Sequence, residues 1–149
     1  KTVHLVFIGD GGERKTLEEL AGHSGIGSNV SFLGMQYELY SMIPVMDVFV
    51  LSSLTEGTSI SLLEAQACGI PAVVTQVGGN MRIIADGYNG FLCAVNDYQG
   101  MADRIGSLIN DEVLRNQMKG NARSVVMQKY SLRSMINSYE QLYEEVMGR

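Results

Sequence analysis

Basic charge is scarce in this chain: 11 Lys and Arg stand against 16 Asp and Glu, for a formal net charge of −5. Nucleic-acid backbones select basic faces, so this balance argues against a nucleic-acid partner. The adjacent pair Arg14 and Lys15 reads as a solvated helix face. Cysteine is scarcer still. Cys68, in AQACGIP, and Cys93, in GFLCAV, both sit in apolar settings and are expected as buried, reduced thiols. His4 falls in a strand and His23 near a helix end, neither with a second ligand type at ligand spacing, so no metal site is expected. No apolar run reaches membrane-spanning length and no signal peptide is recognisable, which reads as a soluble, cytoplasmic chain. The sequence enters a strand at once, in KTVHLVFIGDGG, without an initiator methionine, as a piece of something longer would.

What is present is ordinary for a globular α/β protein: 46% hydrophobic and 18% charged residues over a length of 149, which fits one domain over residues 1–149. Short β-branched runs alternate with helical patterns. Strands are predicted at Val3–Ile8, Asn29–Gly34 and Asp47–Ser53, then in IPAVVTQ and NGFLCAV. Between them lie GERKTLEELAGHSG, with Leu17, Leu20 and Ala21 at helical spacing, a short helix stopped near Pro44, and SISLLEAQAC closed by Gly69. From Tyr98 onward three helices follow, the last capped by Ser131. Continuous apolar strands alternating with helices indicate a doubly wound parallel sheet, Rossmann-like and covered on both faces. Such sheets bind ligands outside the carboxyl ends of their strands.

Three loops fall at those ends: Gly9-Asp10-Gly11-Gly12, Glu56-Gly57-Thr58-Ser59 and Val77-Gly78-Gly79-Asn80. Glycine lets backbone N–H groups approach a ligand closely, and the helix N-termini that follow favour anions, so a diphosphate is the natural guest. Glu56 lies in the second loop. Glu64, in the helix after it, has Leu62, Leu63, Ala65 and Ala67 as neighbours. Two readings stand on pattern alone: a helix residue facing water, or a carboxylate accepting two hydroxyl hydrogen bonds from a ribose cis-diol.

The stretch EGTSISLLEAQACGIPAVVTQVGG resembles the E-x7-E segment of retaining GT-B glycosyltransferases of family 4, the glycosyl transferases group 1. There the pattern runs E-G-F-G-L-x-x-L-E-A-M-A-x-G-x-P-V-V and ends in a glycine pair. FIGDGGERKTLEEL, VSFLGM, DVFVLSSLTEG, DGYNGFL and YSLRSMINSYEQLYEEV support it in order, so the resemblance spans nearly the whole chain. It implies the C-terminal, donor-binding half of a GT-B enzyme. The substrate would be a nucleoside-diphosphate sugar, with no cofactor and no metal, and the product probably destined, in such families, for polysaccharides or glycoconjugates. Glu56 would contact the donor sugar as the catalytic-site carboxylate. Gly57, Thr58, Ser59 and Ile60 would face sugar and diphosphate, and Glu64 would hold the ribose. Gly9 and Gly11 would lie beside the phosphates, and Leu33, Gly34 and Met35 would flank the base.

The departures from the pattern bear on function. T-S-I replaces F-G-L in the sugar-facing loop, and Arg82 stands where an acid is usual. The upstream strand with its G-R…K segment, and the N-terminal domain that would hold the acceptor, are not in this sequence. In the strand order 3-2-1-4-5-6 the missing strand is number 1, which predicts two edges facing a gap. Direct pairing of those edges, a partner chain making a homodimer, or upstream residues would fill it. The isolated chain is expected to transfer no sugar. A non-catalytic nucleotide-binding module, or a sugar-nucleotide epimerase of GT-B architecture, are the alternatives.

Overall fold

The computed structural model describes residues 2–148, which divide into two compact units parting between Ser41 and Met42. In the first unit β1 (Leu5–Phe7) pairs in parallel with β2 (Val30–Phe32), in the register Leu5 to Val30 and Phe7 to Phe32. The rings of Phe7 and Phe32 stack with centroids 4.8 Å apart. The connection carries α1 (Arg14–His23), which buries Ala21; Arg14 pairs with Glu18 at 2.9 Å and donates to the Phe32 carbonyl at 3.1 Å. Leu20, expected on the buried side with Leu17 and Ala21, is exposed instead. Leu5 and Val6 are each 42% exposed, so this ladder lacks the cover expected on both faces. A single crossover helix can shield only one face of a two-stranded ribbon.

The chain crosses into the second unit through α2 (Leu39–Met42), and Pro44 then sits in a 3-10 turn at Ile43–Val45. Here the sheet order is β3 (Phe49–Leu51), β4 (Ala72–Thr75), β5 (Gly90–Cys93), all parallel. Between them run α3 (Ile60–Ala67) and α4 (Asn80–Ile83), and α5 (Tyr98–Asn110), α6 (Glu112–Lys129) and α7 (Leu132–Met147) follow. The central strand β4 is buried at every residue, and its alternation builds two cores. Ala72 and Val74 join Leu62, Ile83 and Ile84 on one face, while Val73 joins Phe91, Cys93, Leu108 and Met118 on the other. The strands are shorter than their apolar runs, and continuous burial is confined to β4, because β3 has a neighbour on one side only within its ladder.

Helix ends follow the caps. Side chains of Ser59, Asp97, Asp111 and Ser131 accept from Leu62, Gly100, Leu114 and Ser134 N–H groups respectively, as N-caps do. Gly69, at φ +73°, turns the chain after α3. One expectation needs correcting. Cys68 is exposed, because as the residue ending α3 it continues the outward stripe of Ile60 and Glu64 at four-residue steps; only Cys93 is buried. The helix α7, whose apolar residues recur at three- and four-residue steps, buries no residue among those described. The described strands form two ladders, β1–β2 in the first unit and β3–β4–β5 in the second. No helix among the described residues is long and apolar enough to cross a membrane.

Candidate functional site

The second unit collects its chemistry where β3 and β4 end. After β3 the chain makes a tight loop in which Ser53 Oγ donates to Glu56 Oε1 at 2.7 Å, with both residues half-buried. The loop that follows β4 lies directly against it: Gly79 N–H donates to the Glu56 carbonyl at 3.3 Å. A side chain at Gly78 would overlap the Glu56 carbonyl oxygen, and one at Gly79 would overlap that of Gly57. Gly78 also takes φ +44°, a conformation side chains disfavour. The glycine pair is therefore a packing requirement of the Glu56 loop.

Behind this contact stands a buried relay. Thr75 Oγ1 donates to the Ser53 carbonyl at 2.6 Å, and Asn80 Nδ2 donates to the Thr75 carbonyl at 3.0 Å. Asn80 is fully buried, and its Oδ1 has no hydrogen-bond partner among the described residues. Ser53, Thr75 and Asn80 were not singled out as site residues by the sequence. Hydroxyls and an amide at strand ends look like ordinary turn chemistry until the fold sets them side by side.

The helix α3 begins at this loop. Gly57 and Thr58 are exposed ahead of it, and Ile60 is exposed at its first position. Ser59 is buried and its Oγ accepts from Leu62 N–H as the helix cap. Thr58 is the exposed hydroxyl of the segment. Glu64 is exposed as well, not enclosed by its apolar neighbours. Helical geometry turns Leu62, Ala65 and Gln66 inward and leaves Ile60, Glu64 and Cys68 along the outer stripe. Its charge therefore carries no burial penalty, and the carboxylate is accessible.

In the first unit, Gly9 N–H donates to the Gly34 carbonyl at 2.8 Å, placing the glycine loop after β1 beside the turn after β2. Gly11 N–H is taken by Asp10 Oδ1 at 2.9 Å. Leu33 N–H donates to the Phe7 carbonyl at 2.9 Å and its own carbonyl accepts from Gln36 Nε2 at 2.7 Å, while Met35 is exposed. Gly9, Gly11, Leu33, Gly34 and Met35 thus gather in one unit, and Glu56, Gly57, Thr58, Ser59, Ile60 and Glu64 in the other.

Parallel strands, crossover helices and glycine loops at strand ends define a Rossmann-like α/β protein, a class built to present backbone and helix N-termini to nucleotides. The chain belongs to the family of glycosyl transferases group 1, whose sequence model matches residues 1–125. It is 36% identical over 143 residues to N-acetyl-alpha-D-glucosaminyl L-malate synthase of Bacillus anthracis, covering 96% of this chain and 38% of that protein. The Anabaena protein Alr3699/HepE, solved in complex with UDP, superposes with a TM-score of 0.83 at 25% identity over 99% of this chain and 41% of its own. The C-terminal domain of a glycosyl transferase group 1 family protein, LpcC of Francisella tularensis, gives 0.75 at 30% identity, over 80% of this chain and 63% of that one. The chain thus spans about two-fifths of the full-length relatives it matches.

Proposed function

We propose that this chain is the donor-binding part of a retaining glycosyltransferase that moves a sugar from a nucleoside-diphosphate sugar to an acceptor held elsewhere in the enzyme, in polysaccharide or glycoconjugate synthesis. The observation that carries the reading is the Glu56 loop: its main chain is packed against the Gly78–Gly79 turn and its carboxylate is held by Ser53, at the mouth of a helix that presents a second, exposed carboxylate at Glu64. That a relative has been solved with UDP, and again with UDP-glucose, supports a uridine nucleotide as the first donor to test.

In this reading Glu56 accepts hydrogen bonds from hydroxyls of the donor sugar, and Glu64 accepts from the ribose diol. The main chain of Gly57 to Ile60 faces the diphosphate at the start of α3, where the helix N-terminus favours negative charge. Gly9 and Gly11 lie beside the phosphates, and Leu33, Gly34 and Met35 flank the base. Stabilising the charge that develops on the leaving diphosphate is the main catalytic contribution such a domain makes, here without a metal. The reaction itself needs both substrates held in register, so the 149-residue chain alone is expected to turn over no donor.

Calorimetric titration of the chain with UDP and UDP-glucose tests the reading. Saturable binding of both, with UDP-glucose sensitive to Glu56→Ala and UDP indifferent to it, is the expected result. Failure of either nucleotide to bind would overturn it.

A further inference from the structure

Glu56 is held in place with no ligand's help. Its Oε1 accepts from Ser53 Oγ at 2.7 Å, and its carbonyl accepts from Gly79 N–H at 3.3 Å. Ser53 is fixed in turn, because its carbonyl accepts from Thr75 Oγ1 at 2.6 Å. Thr75 ends the fully buried strand β4, and its own carbonyl is taken by the buried Asn80 amide. A line of donors therefore runs Asn80 to Thr75, Thr75 to Ser53 and Ser53 to Glu56, from the sheet's centre to a half-buried carboxylate.

A glutamate has three side-chain torsions, and fixing them costs rotamer freedom. When the protein has already fixed them, a ligand that needs the carboxylate does not bear that cost on binding. A hydroxyl donating to a charged oxygen is among the stronger neutral-to-ion hydrogen bonds, and it occupies only one of the carboxylate's several acceptor positions. The remaining positions stay open to hydroxyls of a sugar.

We propose that Ser53 is a positioning residue for the donor sugar: its hydroxyl holds the Glu56 carboxylate in one rotamer, and Thr75 and Asn80 fix Ser53. The inference rests on the reading of Glu56 as the carboxylate that meets the sugar. Ser53 does not touch the ligand; it acts through Glu56.

The test pairs a ligand-free measurement with a binding one. Three-bond NMR couplings at the Glu56 β-protons are measured in the wild-type chain, Ser53→Ala, Ser53→Thr and Thr75→Val, and the same proteins are titrated with UDP and UDP-glucose. The wild type should show a single Glu56 rotamer and Ser53→Ala an average of several, with the pattern restored by Ser53→Thr. Affinity for UDP-glucose should fall about five- to tenfold in Ser53→Ala while affinity for UDP holds, the size expected when one rotamer-rich side chain must be ordered on binding. Thr75→Val, which keeps the shape of the side chain and removes its hydroxyl, should show the same signature more weakly and serves alone if Ser53→Ala does not fold. A single rotamer retained in both variants, or an equal loss of both nucleotides, overturns the role of Ser53. A wild-type chain that binds neither nucleotide overturns the reading of Glu56, and this inference with it. Unchanged UDP-glucose affinity in the variants, beside normal wild-type binding, overturns the inference alone.

Discussion

Asn89 and Gln66 grip each other across the interior of the second unit: Asn89 Nδ2 donates to Gln66 Oε1 at 2.6 Å while Gln66 Nε2 donates back to the Asn89 carbonyl at 3.1 Å. Both are fully buried. Gln66 also donates to the Ile70 carbonyl, and Asn89 donates to the Ile83 carbonyl and accepts from Ala85 N–H, so the end of α3, the end of α4 and the start of β5 share one network. Gln66→Leu fits the space but strands several buried polar groups. It should cost about 1–3 kcal/mol in urea denaturation. Asn89→Leu should cost at least as much, and the double variant should cost less than the sum, since each substitution abandons the other's partner. Strict additivity would show that the two side chains are not coupled.

The glycine pair gives a steric prediction. Gly79→Ala places a methyl group on the Gly57 carbonyl, so the Glu56 loop must move and UDP-glucose affinity should fall at least tenfold, with Gly78→Ala worse because of its positive φ. Gly106→Ala is the matched control: Gly106 lies inside α5 with open space where its methyl would go. That substitution should raise stability by about 0.5–1 kcal/mol and leave binding alone. Binding by Gly79→Ala at wild-type affinity would refute the wedge.

Because Glu64 is exposed, its removal should be felt in binding and not in folding. Glu64→Ala is expected to leave the melting temperature unchanged, as surface substitutions do, within about 0.5 kcal/mol. UDP affinity should drop about tenfold for the loss of charged hydrogen bonds to a diol. A lower melting temperature with intact UDP affinity would make Glu64 a structural residue.

The two thiols should part company. Cys68 is exposed and should react promptly with a thiol reagent, whereas Cys93 is buried and should react only on unfolding. Burial pushes the Cys93 thiol up from its usual range, and the Asp97 carboxylate adds to this. The folded state thus binds the thiol proton more tightly than the unfolded chain does. That contribution to stability is intact below the unfolded thiol's pKa, about 8.5, and is lost as pH rises above it toward the higher folded value. Cys93→Ala should flatten the fall in stability between about pH 8 and 10 relative to wild type, as followed by urea midpoints. An equal slope in both proteins would assign the loss elsewhere.

Much of the fold was legible because local rules and tertiary demands coincide. Ser131 sits where capping chemistry places it, and β4 reads as an unbroken apolar run because both its faces are covered. Leu20 and Cys68 misled for the opposite reason. An apolar residue at helical spacing announces that one side of a helix can be buried, but whether another element lies there depends on contacts that spacing does not encode.

The chain's order of residues by itself determined the parallel α/β class, the positions of the glycine loops and the eight-residue interval between Glu56 and Glu64. These follow from backbone periodicity and the conformational reach of single residue types, which act over a few positions. Only the tertiary structure decided that Glu64 faces outward and that Thr75 and Gly79 brace a loop some twenty residues earlier. Those outcomes are set by which strands lie side by side. Pairing β3 with β4 brings Ser53 and Glu56 against Thr75 and Gly79, a meeting that no local pattern in either segment specifies.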